Sequence, residues 1–194
     1  MIPQEVQAVL RTLEQAGHEA YVVGGCVRDM QMGLPPHDWD VTTSALPEET
    51  MALFPHFAIP TGLQHGTVTV KQSGALYEIT TFRTEGTYTD GRHPDEVHFV
   101  PDVRQDLARR DFTINAMAYN DAEGLIDPFG GQQDLQQGIL RAVGDPATRF
   151  EEDALRILRL FGNTEAHKVT PSVGPEQEYF LVDREKYLKR RDLI

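Results

Sequence analysis

The chain has 194 residues, 40% hydrophobic and 25% charged, enough for one domain with a packed core and a further segment beside it. Its one cysteine, Cys26, excludes an internal disulfide and fits a reducing cytosol. No apolar run is long enough to cross a bilayer and no signal-peptide pattern opens the chain, so a cytoplasmic protein with no membrane partner is expected. The net charge is −12: residues 1–160 carry 24 acidic and 12 basic side chains, and residues 161–194 carry six of each, so non-specific binding of nucleic acid by the acidic part is disfavoured.

Val6, Val9, Leu10 and Leu13 recur at helical spacing, and Gly17 can close that helix. Ala20 to Val23 reads as a buried strand, and Gly24-Gly25 turns into a short helix ending near Gly33. After the break at Pro35-Pro36, Trp39 to Thr43 reads as a second strand, and Pro47 opens a short helix that runs to Phe54. "HGTVTVK" and "ALYEITTF" alternate polar and apolar about Ser73-Gly74 and predict a hairpin.

"RTEGTYTDGRHPDE" reads as a polar loop and "VHFV" as a short strand. A helix is expected from Asp102 to about Ile114, then "AMAYN" paired with "GLID", then "ILRAV" as another short strand. Asp145-Pro146 starts a helix through "ATRFEEDALRILRLF". Strands mixed with helices predict an α/β (mixed α+β) domain, its sheet covered mainly on one side.

In a strand, residues two apart share a face, so Asp38 and Asp40 should project together while Trp39 points to the core. Two carboxylates this close repel unless a cation lies between them. Magnesium accepts one or two carboxylates together with phosphates, which suits phosphoryl transfer. Gly24-Gly25 allow close approach of a ligand, and the helix that follows offers N–H groups to an anion. Taken singly, a DxD or a glycine pair is a solvated loop more often than a site; the combination, with Arg28-Asp29 between, is much rarer by chance. His65, His93 and His98 lack the spacing of a zinc site and read as structural or solvated.

"GGCVRDMQMGLPPHDWDVTT", followed in order by "HGTVTV", "YEITTFR", "GRHPDEVHFV", "RRDFTINAMAYN", "DPFGG" and "EEDALRILRL", resembles the bacterial tRNA nucleotidyltransferases (CCA-adding enzymes) and the related poly(A) polymerases, from the N-terminus to about residue 160. The resemblance implies a nucleotidyltransferase head, with a small mixed sheet backed by helices, over residues 1–143. A truncated helical neck would occupy residues 144–160. It implies that Asp38 and Asp40 bind catalytic Mg2+ and that Glu78 is a third ligand or the general base for the attacking hydroxyl.

It further implies that Gly24, Gly25 and Arg28 contact the triphosphate; Asp29, beside Arg28, reads as orienting that arginine or as capping or solvating the short helix. Arg109, Arg110, Asp111 and Asn115 would hold sugar and triphosphate, Asp111 or Asn115 reading the ribose 2′-hydroxyl. Phe112, Ile114 and Met117 would serve the core. Asp153 and Arg156, three apart on a helix, would bond the Watson–Crick edge of the incoming base in place of a template. Asp90 and Arg92 match a loop implicated in switching from C to A addition.

The implied reaction transfers CMP and AMP from CTP and ATP to the 3′ end of tRNA. The alternatives are RNA adenylyl transfer of the poly(A) polymerase type and a nucleotide-binding remnant without catalysis. "GLQHGTVTV" favours CCA addition. Residues 161–194 instead resemble a fragment of long-type glutamine synthetase, in which Glu176 and Glu178 would bind metal, but the partner ligands are absent from the sequence. An unrelated, loosely packed end on a weakly active or inactive head is therefore expected.

Overall fold

The computed structural model describes residues 2–86 and 96–146, together with the backbone of residues 173–174 and 177–178. Two units are distinguished, residues 1–86 with 96–145, and residues 87–95 with 146–194. In the second unit, Val173–Gly174 pairs antiparallel with Gln177–Glu178 as a two-stranded ribbon. The segment expected to form the neck helix, with Asp153 and Arg156, and the residues Asp90, Arg92 and His93 expected in a loop lie outside the described residues.

The first unit is built on a seven-stranded mixed sheet. Its strands are β1 (Ala20–Val23), β2 (Asp40–Thr43), β3 (Ala58–Gly62), β4 (Thr67–Gln72), β5 (Ala75–Thr81), β8 (Ala118–Asn120) and β9 (Gly124–Ile126), in the order β3-β4-β5-β2-β1-β8-β9. The neighbours are antiparallel except β2 and β5. A separate ribbon pairs β6 (Arg83–Glu85) with β7 (Val97–Phe99).

Helix α1 (Gln4–Gln15) buries Val6, Val9, Leu10 and Leu13, the four residues its periodicity selects. It stops where the His18 N–H turns back to the Leu13 carbonyl. A side chain such as Leu13, fully buried, contributes about 1.5–3 kcal/mol. Helix α2 (Gly25–Gln31) follows β1 directly. Helix α3 (Pro47–Leu53) begins with proline, and Glu49 reaches back to accept the Leu46 N–H at 2.7 Å.

One sheet face carries Val22, Val41, Val68, Val70 and Ile79 against α1 and its neighbours. The alternate residues Tyr21 and Val23 form a second cluster with Phe82, Val103, Leu107 and Ala118. Both faces therefore hold core at the β1 end, where one-sided cover was expected. Helix α4 (Val103–Ala108) is the element that fills the second face.

Three expectations need correction. The helix predicted over residues 102–114 ends at Ala108, because Asp111 Oδ1 accepts the Phe112 N–H at 2.8 Å and Phe112 stays extended; a single 3-10 turn, Thr113–Asn115, follows. "ILRAV" contributes only an isolated bridge, Ala142 to Phe112. The segment read as loop from Arg83 starts as strand β6. Strand β3 was not foreseen; Pro60 sits in its irregular stretch between Ile59 and Gly62, at the sheet edge where proline is tolerated.

Cys26 packs in the core with its thiol donating to the Val23 carbonyl. Burial pushes the thiol pKa up to about 11. At pH 8 its reaction with a thiol-specific disulfide reagent is expected to be roughly 100-fold slower in the native protein than in denaturant, because the thiolate is the nucleophile. Equal rates in the two states would show the thiol to be accessible.

Candidate active site

Asp40 opens β2 opposite Val23. Asp38 lies in the connection just before the strand, which starts one residue later than expected. The Asp40 carboxyl is pushed up from its ordinary pKa, first by desolvation; Arg110 opposes the shift and the charge of Asp38 adds to it. Asp40 remains on the accessible surface, so this crowding is by neighbouring groups around an open edge rather than full enclosure. Trp39, between the two acids, packs against the core as expected.

Glu78 precedes Ile79 in β5 as Asp40 precedes Val41 in β2, and Val41 and Ile79 are register partners. Asp40 and Glu78 thus stand side by side on the face shared by Thr42 and Thr80. Glu78 is exposed. Among the described residues no group of three or more His, Cys, Asp and Glu side chains could hold a metal ion. Asp38 and Asp40 are the acidic pair a cation would meet, and Glu78 stands beside Asp40 on the neighbouring strand without completing a three-residue cluster. Two carboxylates in mutual repulsion at an open edge fit a hard, oxygen-seeking ion.

Gly24 links β1 to α2 with φ 79°, ψ −130°. A Cβ there would lie 2.9 Å from Arg110 Nη1, so the glycine serves both the turn and the close approach of a guanidinium. Arg28, on α2, donates through Nε and Nη2 to Asp29 Oδ1 at 2.9 and 2.8 Å, and through Nη1 to Asn115 Oδ1 at 2.9 Å. Asp29 therefore orients Arg28 rather than capping the helix. Asn115 Nδ2 turns to Asp111 Oδ1 at 3.5 Å. Gly25, Arg28, Asp111 and Asn115 are gathered at one place, and the 3-10 turn is the piece that brings them there.

The consecutive arginines diverge. Arg109 donates to Asp106 at 2.9 Å and to Glu85 at 2.7 Å, while Arg110 turns toward Gly24 and Asp40. Burial pushes the Arg110 pKa down, an effect countered chiefly by Asp106. Arg83 Nη2 donates to Glu85 at 2.9 Å, and its Nη1 to the His65 carbonyl. Sequence reasoning passed over Asp106, Arg83 and Glu85. The signals were available: Asp106 lies three and four residues before the two arginines, the spacing of helical ion pairs, and Arg83 and Glu85 are two apart in a strand.

A mixed sheet with paired acids at one strand's start, a glycine turn and an arginine cluster defines a nucleotidyltransferase head. Residues 20–141 match the family model described as the Poly A polymerase head domain, and the chain belongs to that family. It is 53% identical over 156 residues to the CCA-adding enzyme of Anoxybacillus flavithermus, covering 80% of this chain and 39% of the relative. It is 51% identical over 182 residues to the CCA-adding enzyme of Lactobacillus helveticus, covering 94% and 45%.

Among solved structures, the Bacillus stearothermophilus CCA-adding enzyme in complex with CTP superposes with TM-score 0.75 at 46% identity, covering 83% of this chain and 39% of that one. The Thermotoga maritima CCA-adding enzyme complexed with tRNA gives TM-score 0.62 at 26% identity, over 82% and 37%. The chain thus spans about two fifths of the length of these relatives. No helix among the described residues is long and apolar enough to cross a membrane.

Proposed function

We propose that this chain is the catalytic head of a cytoplasmic, Mg2+-dependent CCA-adding nucleotidyltransferase, transferring CMP and AMP from CTP and ATP to the 3′ end of tRNA. The observation that carries the reading is Asp40, with Asp38 two residues before it, facing Arg110 beside the Gly24 turn. The kinship with CCA-adding enzymes solved with CTP and with tRNA supports the choice of substrates. In this reading the head spans residues 1–143 and a neck residues 144–160. Residues 161–194 form a separate segment.

Asp38 and Asp40 would hold the ion, which when bound neutralises triphosphate charge and lowers the pKa of an attacking hydroxyl. The 3′-hydroxyl attacks the α-phosphorus, the new P–O bond forms as the bond to the β-phosphate oxygen breaks, and pyrophosphate leaves. Arg28, fixed by Asp29 and Asn115, presents N–H groups to the phosphates. Asp111 and Asn115, 3.5 Å apart, would read the ribose, and Arg109 holds the segment against Glu85. Glu78, beside Asp40, would accept the hydroxyl proton or serve as a third ligand. Asp153 and Arg156 take the base-reading role.

The acidic character of residues 1–160 opposes RNA binding, and more than half of each relative's length lies outside the matched region. The expected result of calorimetry is therefore binding of CTP and ATP that depends on Mg2+ and is lost with EDTA. Incorporation onto tRNA lacking its CCA end should be slow. Absence of nucleotide binding in either condition would overturn the proposal, and ATP binding without CTP binding would favour poly(A) synthesis.

A further inference from the structure

We infer that Asp106 is the positioning residue that aims Arg110 at the phosphates of a bound nucleoside triphosphate, an inference that rests on the nucleotidyl-transfer reading above. Asp106 is fully buried, at 0% exposure. A buried carboxylate is costly unless it is paired and hydrogen-bonded. Its partners come from three separate parts of the fold. Thr42 Oγ1, on the strand that begins with Asp40, shares its one proton between the Thr80 carbonyl at 3.2 Å and Oδ2 at 3.3 Å. The Arg83 N–H, just past the end of β5, donates to Oδ1 at 3.3 Å. Arg109 Nε donates to Oδ1 at 2.9 Å, and Arg110 Nη2 stands 3.8 Å from Oδ2.

One carboxylate thus ties the acid-bearing strand to both arginines. It has no surface of its own to offer a ligand, so any effect on nucleotide must pass through another side chain. Arg109 is drawn away by Glu85, so Arg110 is the one turned to the Gly24 edge. The Arg110 Nε is buried and makes no hydrogen bond to a described residue. The Arg110 side chain as a whole keeps 19% of its surface exposed, so its guanidinium end, held beside Asp40 by a buried anion, suits a phosphate oxygen arriving with its cation.

The test compares CTP with CMP, titrated calorimetrically with Mg2+ into wild-type protein and Asp106→Asn. Loss of the aim on the phosphates should weaken CTP about tenfold, near 1.4 kcal/mol, while CMP changes less than about threefold. A merely structural role would weaken both nucleotides in parallel through the folded fraction. Thr42→Val removes one tether with little change in volume and should shift the CTP-to-CMP ratio in the same direction, by about twofold to threefold. This milder variant provides the answer if Asp106→Asn folds poorly. An unchanged CTP-to-CMP ratio in both variants overturns the positioning role and leaves nucleotide binding standing. Absence of CTP binding in the wild-type protein overturns both.

Discussion

Asp40→Asn is expected to abolish the Mg2+-dependent part of CTP binding, weakening it by about 10- to 100-fold, the loss that even supporting residues of a metal site produce. The substitution preserves volume and the strand, since Asp40 is on the accessible surface and its backbone pairs with Val23. It removes one of the two charges that meet at the start of β2. Asp38 then lacks the neighbour that raises local negative potential, and a hard cation loses its second oxygen anion. Arg110, now facing a neutral amide, should hold phosphate without metal more readily than before. Titration of CTP with Mg2+ and with EDTA separates the two effects. If the Mg2+-dependent increment survives unchanged, the acidic pair is not the metal site.

Gly131→Ala carries the largest expected cost in stability. Gly131 begins helix α5 (Gly131–Gln137), where Asp127 accepts the Gly131 and Gln132 N–H groups at 2.7 and 2.9 Å. A Cβ on Gly131 would lie 2.2 Å from the Thr113 carbonyl oxygen, 2.8 Å from its carbon and 3.1 Å from Met117 Cγ. Two of those atoms are backbone and cannot swing aside. The helix is also pinned there, because Thr113 Oγ1 donates to buried Asp134 at 2.6 Å and Arg141 Nε does so at 3.0 Å. We expect a loss of about 2–4 kcal/mol in urea-denaturation stability. The 3-10 turn that would be displaced carries Asn115, so the Arg28 contact should loosen and CTP affinity fall in the fraction that stays folded. A change below about 0.5 kcal/mol would show that the turn and helix can separate cheaply.

Much of the site was legible along the chain because its parts are short-range. The turn Gly24-Gly25, the Arg28-Asp29 pair and the Asp38–Asp40 spacing lie within seventeen residues of one another, and strand alternation is enough to place Asp40 on one face with Trp39 toward the core. The β4–β5 hairpin followed from its turn residues and alternation. Reading Glu78 beside Asp40 needed the family resemblance, since the parallel β2–β5 pairing joins segments far apart in sequence.

What the amino-acid order determined by itself was α1 and its buried stripe, the hairpin, and the local chemistry of the glycine turn and the acidic pair. Each depends on residues only a few places apart, where covalent geometry sets the outcome. The tertiary structure alone decided the edge strand β3, whose proline breaks the pattern, and the end of α4 at Ala108. It also decided the opposite courses of Arg109 and Arg110. The courses of the two arginines turn on Asp106, a charge that tolerates complete burial only because Thr42, Arg83 and Arg109 reach it from distant parts of the chain, and a convergence of that kind leaves no periodic trace in sequence.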